Sequence, residues 1–185
     1  GGTLTIIDSI FSNNVLASAS DYSTAYGGAI FAENVKSDIR NSKFINNSAA
    51  KYGGAIIISD SLCPVRESEF INNTAGSGGA IYVIGHVEDN LSIDSSLFEN
   101  NTAKISGGAL YLSSDSDVSI SDATFTNNTA FLTGGAVFVS ASTEANVLNS
   151  RFTYNEAIKG SAIDNRGTLT LSDSQLFKNK AHSQL

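Results

Sequence analysis

The sequence of 185 residues has no methionine and no tryptophan, and only one proline (Pro64) and one cysteine (Cys63). A single cysteine excludes an internal disulfide and a thiolate metal site. Cys63 is expected to be a small, partly buried packing residue, or, alternatively, to form an intermolecular link; it leaves the redox compartment open. Positive charge is also scarce: 11 Lys and Arg stand against 18 Asp and Glu, a formal net charge of −7. The basic residues are scattered, which argues against nucleic-acid phosphates and anionic membrane surfaces as partners. No apolar run approaches the roughly 20 residues of a spanning helix, and no charged-then-apolar leader opens the chain. Membrane insertion by this segment is not expected, and any export or anchoring signal is expected to lie outside it. No segment holds a helical period for three turns.

What is abundant is Gly, Ser, Asn and Ala, arranged as copies of one motif. An aromatic leads to an asparagine at Phe11…Asn14, Phe44…Asn47, Phe70…Asn73, Phe98…Asn101, Phe125…Asn128 and Phe152…Asn155. A seventh copy appears if Leu176 takes the aromatic column and Asn179 the asparagine column. That register also restores the other columns. Two residues before the aromatic stand Ser9, Ser42, Ser68, Ser96, Ala123, Ser150 and Ser174; five before it stand Ile6, Ile39, Val65, Ile93, Ile120, Val147 and Leu171. Between copies fall Gly27-Gly28-Ala29-Ile30, Gly53-Gly54-Ala55-Ile56, Gly78-Gly79-Ala80-Ile81, Gly107-Gly108-Ala109-Leu110, Gly134-Gly135-Ala136-Val137 and the altered Gly160-Ser161-Ala162-Ile163. The mean period is about 27 residues, within the range of solenoids.

Alternation of apolar or small residues with polar ones, as in Ile120-Ser121-Asp122-Ala123-Thr124-Phe125, reads as short strands. The expected fold is therefore all-β: a right-handed, single-stranded parallel β-helix of about seven coils, roughly 25–29 residues each. Residues 1–185 read as a single β-helix domain. Gly1-Gly2-Thr3-Leu4-Thr5-Ile6 matches Arg166-Gly167-Thr168-Leu169-Thr170-Leu171, the middle of a coil, so the chain reads as a fragment of a longer array. Open coils at both ends would permit end-to-end self-association through strand edges.

Stacking assigns each column a role. Phe and the aliphatics should point into the bore, and Ser should fill a tight interior position. The corner residues Asn14, Asn47, Asn73, Asn101, Asn128, Asn155 and Asn179 should adopt a left-handed backbone and form a structural ladder of amides. The Gly pair should serve the opposite bend. An insertion at 16–26 should leave the helix as a loop, and length changes at 59–66, 85–90, 113–117 and 140–146 place the variable loops on one edge, where binding commonly resides.

The alternation of Gly-Gly-Ala-Ile with Phe-x-x-Asn resembles the repeats of the chlamydial polymorphic outer-membrane proteins, which are autotransported adhesins. Phe70-Ile71-Asn72-Asn73-Thr74-Ala75 leading into Gly78-Gly79-Ala80-Ile81-Tyr82, with Gly167-Thr168-Leu169-Thr170-Leu171, is similar to the adhesin-like surface proteins of methanogenic archaea. The resemblance covers the whole chain. It implies a right-handed β-helix displayed extracellularly at the cell surface, a role in attachment to a glycan or protein of another cell, and no catalytic residues.

If the aliphatic after Gly-Gly-Ala faces inward, then Phe31, Ile57, Tyr82, Tyr111 and Phe138 face outward on consecutive coils. Phe31, Tyr82, Tyr111 and Phe138 thus form a candidate binding stripe able to stack on sugars or anchor a protein. A purely structural reading is that in-register aromatics pair with their neighbours and stabilise the sheet. Asp60, Glu88, Asp89, Asp115, Asp117 and Glu144 gather in the variable loops, and only Asp115-Ser116-Asp117 has a spacing suggestive of calcium. A solvated acidic edge is the expected reading, with no metal and no cofactor. Catalysis would need a non-repeating cluster of carboxylates and bases. Arg151, Arg166 and Asp164 are the one mixed-charge group near one end, read as a surface pairing, and His86 and His182 fall in different coils. The chain is accordingly expected not to be an enzyme; a structural spacer and a pectate-lyase-like carbohydrate-active enzyme are the alternatives to an adhesin. Sequons at Asn46, Asn72, Asn90, Asn100 and Asn127 could accept glycans, in four cases at the first Asn of a corner pair.

Overall fold

A computed structural model describes residues 2–17, 26–85, 91–115 and 117–182. Among these there are 27 strands and no helix. Four strands make one coil; in the second coil they are Val35–Arg40, Lys43–Ile45, Ser48–Ala49 and Ile56–Ser59. Each pairs in parallel with its equivalents in neighbouring coils, giving four sheets numbered first to fourth in that order. The first three sheets have seven strands and the fourth has six, all stacked in chain order. The expected parallel β-solenoid is therefore what the chain forms. The coil count differs slightly from the expected seven. The second to sixth coils, five in all, have all four strands and lie between two other coils, although the fourth-sheet strand of the sixth is an edge.

The columns read from the sequence are ladders in the structure. Ile6, Ile39, Val65, Ile93, Ile120, Val147 and Leu171 pair in register along the first sheet. In the second sheet Phe152 pairs with Leu176, so the shifted register of the last copy is the one adopted. The rings of Phe11, Phe44, Phe70, Phe98, Phe125 and Phe152 stack with centroids 4.7–4.9 Å apart and interplanar angles of 3–6°. Phe44 through Phe152 are fully buried, facing Ile56, Ile81, Leu110 and Val137 across the bore. Each such side chain contributes about 1.5–3 kcal/mol by burial. Cys63 lies in the same core and is fully, rather than partly, buried; burial pushes its thiol up to about 12, so it is an inert packing residue.

The corner between the first and second sheets uses the serine column. Each hydroxyl donates to the carbonyl two residues back, as Ser68 does to Arg66 at 2.7 Å, and from Ser42 onward each accepts the backbone N–H of the preceding coil, as Ser68 Oγ does from Ser42 at 3.2 Å. Ala123 interrupts this ladder and offers no hydroxyl to the Ser96 N–H beneath it. Ala123→Ser should restore both bonds and stabilise the protein by about 1 kcal/mol. That corresponds to a rise of about 2–4 °C in melting temperature, and a fall would show the site too tight for the hydroxyl.

The asparagine ladder closes the corner between the second and third sheets. Asn101 shows its full bonding. Its Oδ1 accepts from the backbone N–H and the Nδ2 of Asn73, at 2.9 and 3.0 Å. Its own Nδ2 donates to Phe70 O in the preceding coil and to Asn128 Oδ1 in the next, at 2.9 and 3.0 Å. Every donor and acceptor of a fully buried amide is thus used. The same pattern runs from Asn14 through Asn47, Asn73, Asn101, Asn128 and Asn155 to Asn179. One expectation is corrected: the left-handed residue is not the ladder Asn but the one before it. Asn13, Asn46, Asn72, Asn100, Asn127, Tyr154 and Lys178 have φ of 54–58°. The turn needs one left-handed residue to redirect the chain; the next must be extended so that its amide lies along the solenoid axis.

The length changes at 59–66, 113–117 and 140–146 connect the fourth sheet to the first, on one edge as expected. Most of the 16–26 insertion (residues 18–25), residues 86–90 with His86, Glu88, Asp89 and Asn90, and Ser116 lie outside the described residues.

Candidate functional site

The outer face of the fourth sheet carries the aromatic row. Phe31, Ile57, Tyr82, Tyr111 and Phe138 are paired in register on five consecutive coils, with Asp164 next. The expected outward placement holds, but the expected exposure does not. Phe31 is 47% exposed and Tyr111 half-buried, whereas Tyr82 and Phe138 are 8% and 5% exposed. The reason is that the rings stack on one another along the axis. Tyr82 and Tyr111 lie 4.6 Å apart at 12°, and Tyr111 and Phe138 4.5 Å apart at 22°. Their faces are spent on each other, so they present edges outward, and for these three rings the sheet-stabilising role is realised.

Two rings that strand periodicity did not reveal complete the column. Tyr26 and Tyr52 each stand just before a left-handed glycine, outside the strands, and bridge to each other in parallel. Tyr52 lies against Tyr82 at 4.5 Å, tilted by 34°, while Tyr26 stacks on Tyr52 at 5.7 Å and Phe31 on Tyr26 at 6.1 Å. They close over Ile57, which points outward yet is 2% exposed. The sequence signal was present in Tyr26-Gly27-Gly28 and Tyr52-Gly53-Gly54; later coils carry Ser77, Ser106, Thr133 and Lys159 at that place.

Between these rings lies a pocket of about 180 Å³. Phe31, Tyr52 and Tyr82 line it with Tyr26, over Ile57, while Glu33, Ser59 and Ile84 form the adjoining row. Burial, followed by the neighbouring phenols, pushes the Tyr82 hydroxyl well above its ordinary range. Burial raises Tyr111 as well, with the Arg166 guanidinium opposing it. Both phenols are therefore neutral at physiological pH. Cations sit at both ends of the column: Lys51 Nζ lies 5.9 and 5.1 Å from the Tyr26 and Tyr52 centroids, and the Arg166 guanidinium 4.9 Å from that of Phe138.

The charged groups are distributed elsewhere. Arg166 pairs with Asp164 at 3.2 Å beside Phe138, but Arg151 is on the second sheet, so the expected trio is not one cluster. Sequence reading missed Asp38, which bridges Arg40 at 2.8 Å and Arg66 at 3.2 Å on the outer face of the first sheet. His182 lies 3.4 Å from Glu156. Asp117 stacks on Glu144 in register, and Asp115 is exposed nearby. Asn46, Asn72, Asn100 and Asn127 are exposed in one row, while the second Asn of each pair is buried in the ladder.

A family model described as right handed beta helix region matches residues 28–183. No curated protein and no solved structure matches the chain.

Proposed function

The chain belongs to the right-handed β-helix family, and from that premise we propose that it is a non-catalytic, extracellular adhesin-like β-helix. In this reading it is displayed at a cell surface and presents the outer face of the fourth sheet to glycans or proteins of a partner cell. The observation that carries the reading is the pocketed end of the aromatic column, where Phe31 is exposed beside Tyr26, Tyr52 and Glu33. An aromatic left open to water beside a pocket is a recognition feature that a sheet does not need for its own stability. The unbroken Phe and Asn ladders favour a second reading, a rigid stalk whose recognition domain lies elsewhere.

The test is binding of the purified chain to a glycan array and to intact cells, beside a Tyr26→Ala, Phe31→Ala variant. Both residues sit at the open end of the column, so the variant should keep its fold. Binding by the parent that falls at least about tenfold in the variant supports the reading, that factor being what about 1.4 kcal/mol of lost contact yields. Undiminished binding sinks this face as the site, and no binding by either favours the stalk. Release of new sugar ends from an arrayed glycan would replace both readings with a carbohydrate-active enzyme.

A further inference from the structure

We infer that the pocket over Ile57 is a site for a quaternary ammonium group, held against the exposed Phe31 ring, with Tyr26, Tyr52 and Tyr82 lining the pocket and the Glu33 carboxylate at its side. The inference rests on the reading of this face as the binding surface and specifies what one part of it takes.

Four aromatic rings converge on about 180 Å³, room for a single small group. The floor is Ile57 and one wall is Ile84, so much of the lining offers no hydrogen bonds. A primary ammonium carries three donors and is strongly hydrated, and would leave donors unpaired there. A sugar ring has many hydroxyls to satisfy, and beside the three phenols and Glu33 the Ser59 hydroxyl is already engaged with Asp60 Oδ2 at 3.0 Å. A quaternary ammonium has a full charge and no donors. Its methyls suit Ile57 and Ile84, and its charge suits the open Phe31 ring and the Glu33 carboxylate.

The sign of the preference is visible in the molecule itself. The aromatic column already attracts the chain's own cations, Lys51 over Tyr26 and Tyr52 and Arg166 over Phe138. On the other side of the pocket the charge is negative: Glu33 lines it, and the Asp60 carboxylate stands behind Ser59, opposite the Lys51 ammonium at Tyr26 and Tyr52. Because the phenols of Tyr82 and Tyr111 stay neutral, the column keeps this character across the working pH range.

The experiment is titration of the whole chain with choline chloride and, separately, with 3,3-dimethylbutan-1-ol, the neutral molecule of the same shape, read by amide chemical shifts and calorimetry. Choline is expected to bind in the millimolar range and to shift Ile57, Glu33 and Tyr82. The alcohol should bind at least about tenfold more weakly, since only the charged molecule gains the cation–π term. Phe31→Ala should weaken choline about tenfold, and Glu33→Gln about threefold; both residues are exposed, so neither change should unfold the chain. Phosphatidylcholine vesicles distinguish the source: cosedimentation names a lipid headgroup, and choline binding without it names a free or glycan-borne cation. Equal binding of choline and the alcohol, no shifts up to tens of millimolar choline, or an unchanged affinity in Phe31→Ala each overturns the assignment. A chain that binds its arrayed glycan or cell while ignoring choline overturns this inference alone and leaves the adhesin reading standing.

Discussion

Gly108→Ala is expected to lower the melting temperature by about 10 °C or more, corresponding to about 4 kcal/mol for a domain of this size. A Cβ on Gly108 would lie 1.9 Å from the Gly135 carbonyl oxygen of the next coil and 2.8 Å from the backbone N and C of Thr129. All three are main-chain atoms held in parallel ladders, so no rotamer change relieves the overlap. The coils would have to separate, and the Gly108 N–H bond to Gly134 O, 3.0 Å in the parent, would lengthen with them. Because each coil contacts only its neighbours, the variant should unfold in two steps, split near the fourth and fifth coils, rather than in one. Ser161→Ala is the matched control. Ser161 occupies the equivalent place in the sixth coil, where no fourth-sheet strand is stacked beyond it among the described residues, and its replacement should change stability by less than about 0.5 kcal/mol. Thermal and urea melts followed by circular dichroism decide the matter. A Gly108→Ala melt within about 2 °C of the parent would mean that neighbouring coils yield far more easily than their hydrogen bonding suggests.

The distinction between the two glycines shows how far the sequence could be read. A parallel β-helix places the same side chain above itself in every coil, so any position with a strict steric or bonding demand becomes a column, and Phe, Ser, Asn and Gly-Gly were all visible as such. The first glycine of each pair is left-handed, as Gly107 is with φ 66°, while the second has no room for a side chain. A column cannot separate those two causes. It also could not say which Asn of a pair turns the chain, since five coils carry Asn at both places. The clue lay in Tyr154 and Lys178, which stand at the first place: the fully bonded ladder tolerates only Asn, whereas the left-handed corner tolerates other residues at a cost. The binding face was legible only in part. Period-two alternation put Phe31, Tyr82, Tyr111 and Phe138 on one outer row, but exposure depends on what folds over that row. Tyr26 and Tyr52 do so from outside the strands, where alternation carries no information, and together with Ile57 they turn a flat stripe into a pocket.

The Asn101→Asp variant should lose about 3–5 kcal/mol near neutral pH, although it changes a single atom. One carboxylate oxygen could still accept from the N–H and Nδ2 of Asn73. The other would replace a donor and face two acceptors, Phe70 O and Asn128 Oδ1, where Nδ2 now donates at 2.9 and 3.0 Å. The site is fully buried, so the charge would have neither water nor a counter-ion. Burial and facing acceptors both disfavour the ionised form, so the introduced acid should have a folded-state pKa above its unfolded value of about 4. Between those two values the folded state binds the extra proton and the unfolded state does not. Stability relative to the parent must therefore fall as pH rises from about 4, level off above the raised pKa, and recover on acidification as the neutral acid regains one donor. Asn101→Ala separates charge from bonding. It loses the same two donated bonds without introducing a carboxylate, so its deficit should be pH-independent. Urea titrations of parent, Asn101→Asp and Asn101→Ala between about pH 4 and 8 give the answer. A deficit in Asn101→Asp that is flat with pH would mean that the amide column is open to solvent. A pH-dependent deficit, beside a constant one in Asn101→Ala, would establish the ladder as a dry polar core that admits only a side chain able to donate and accept along the same axis.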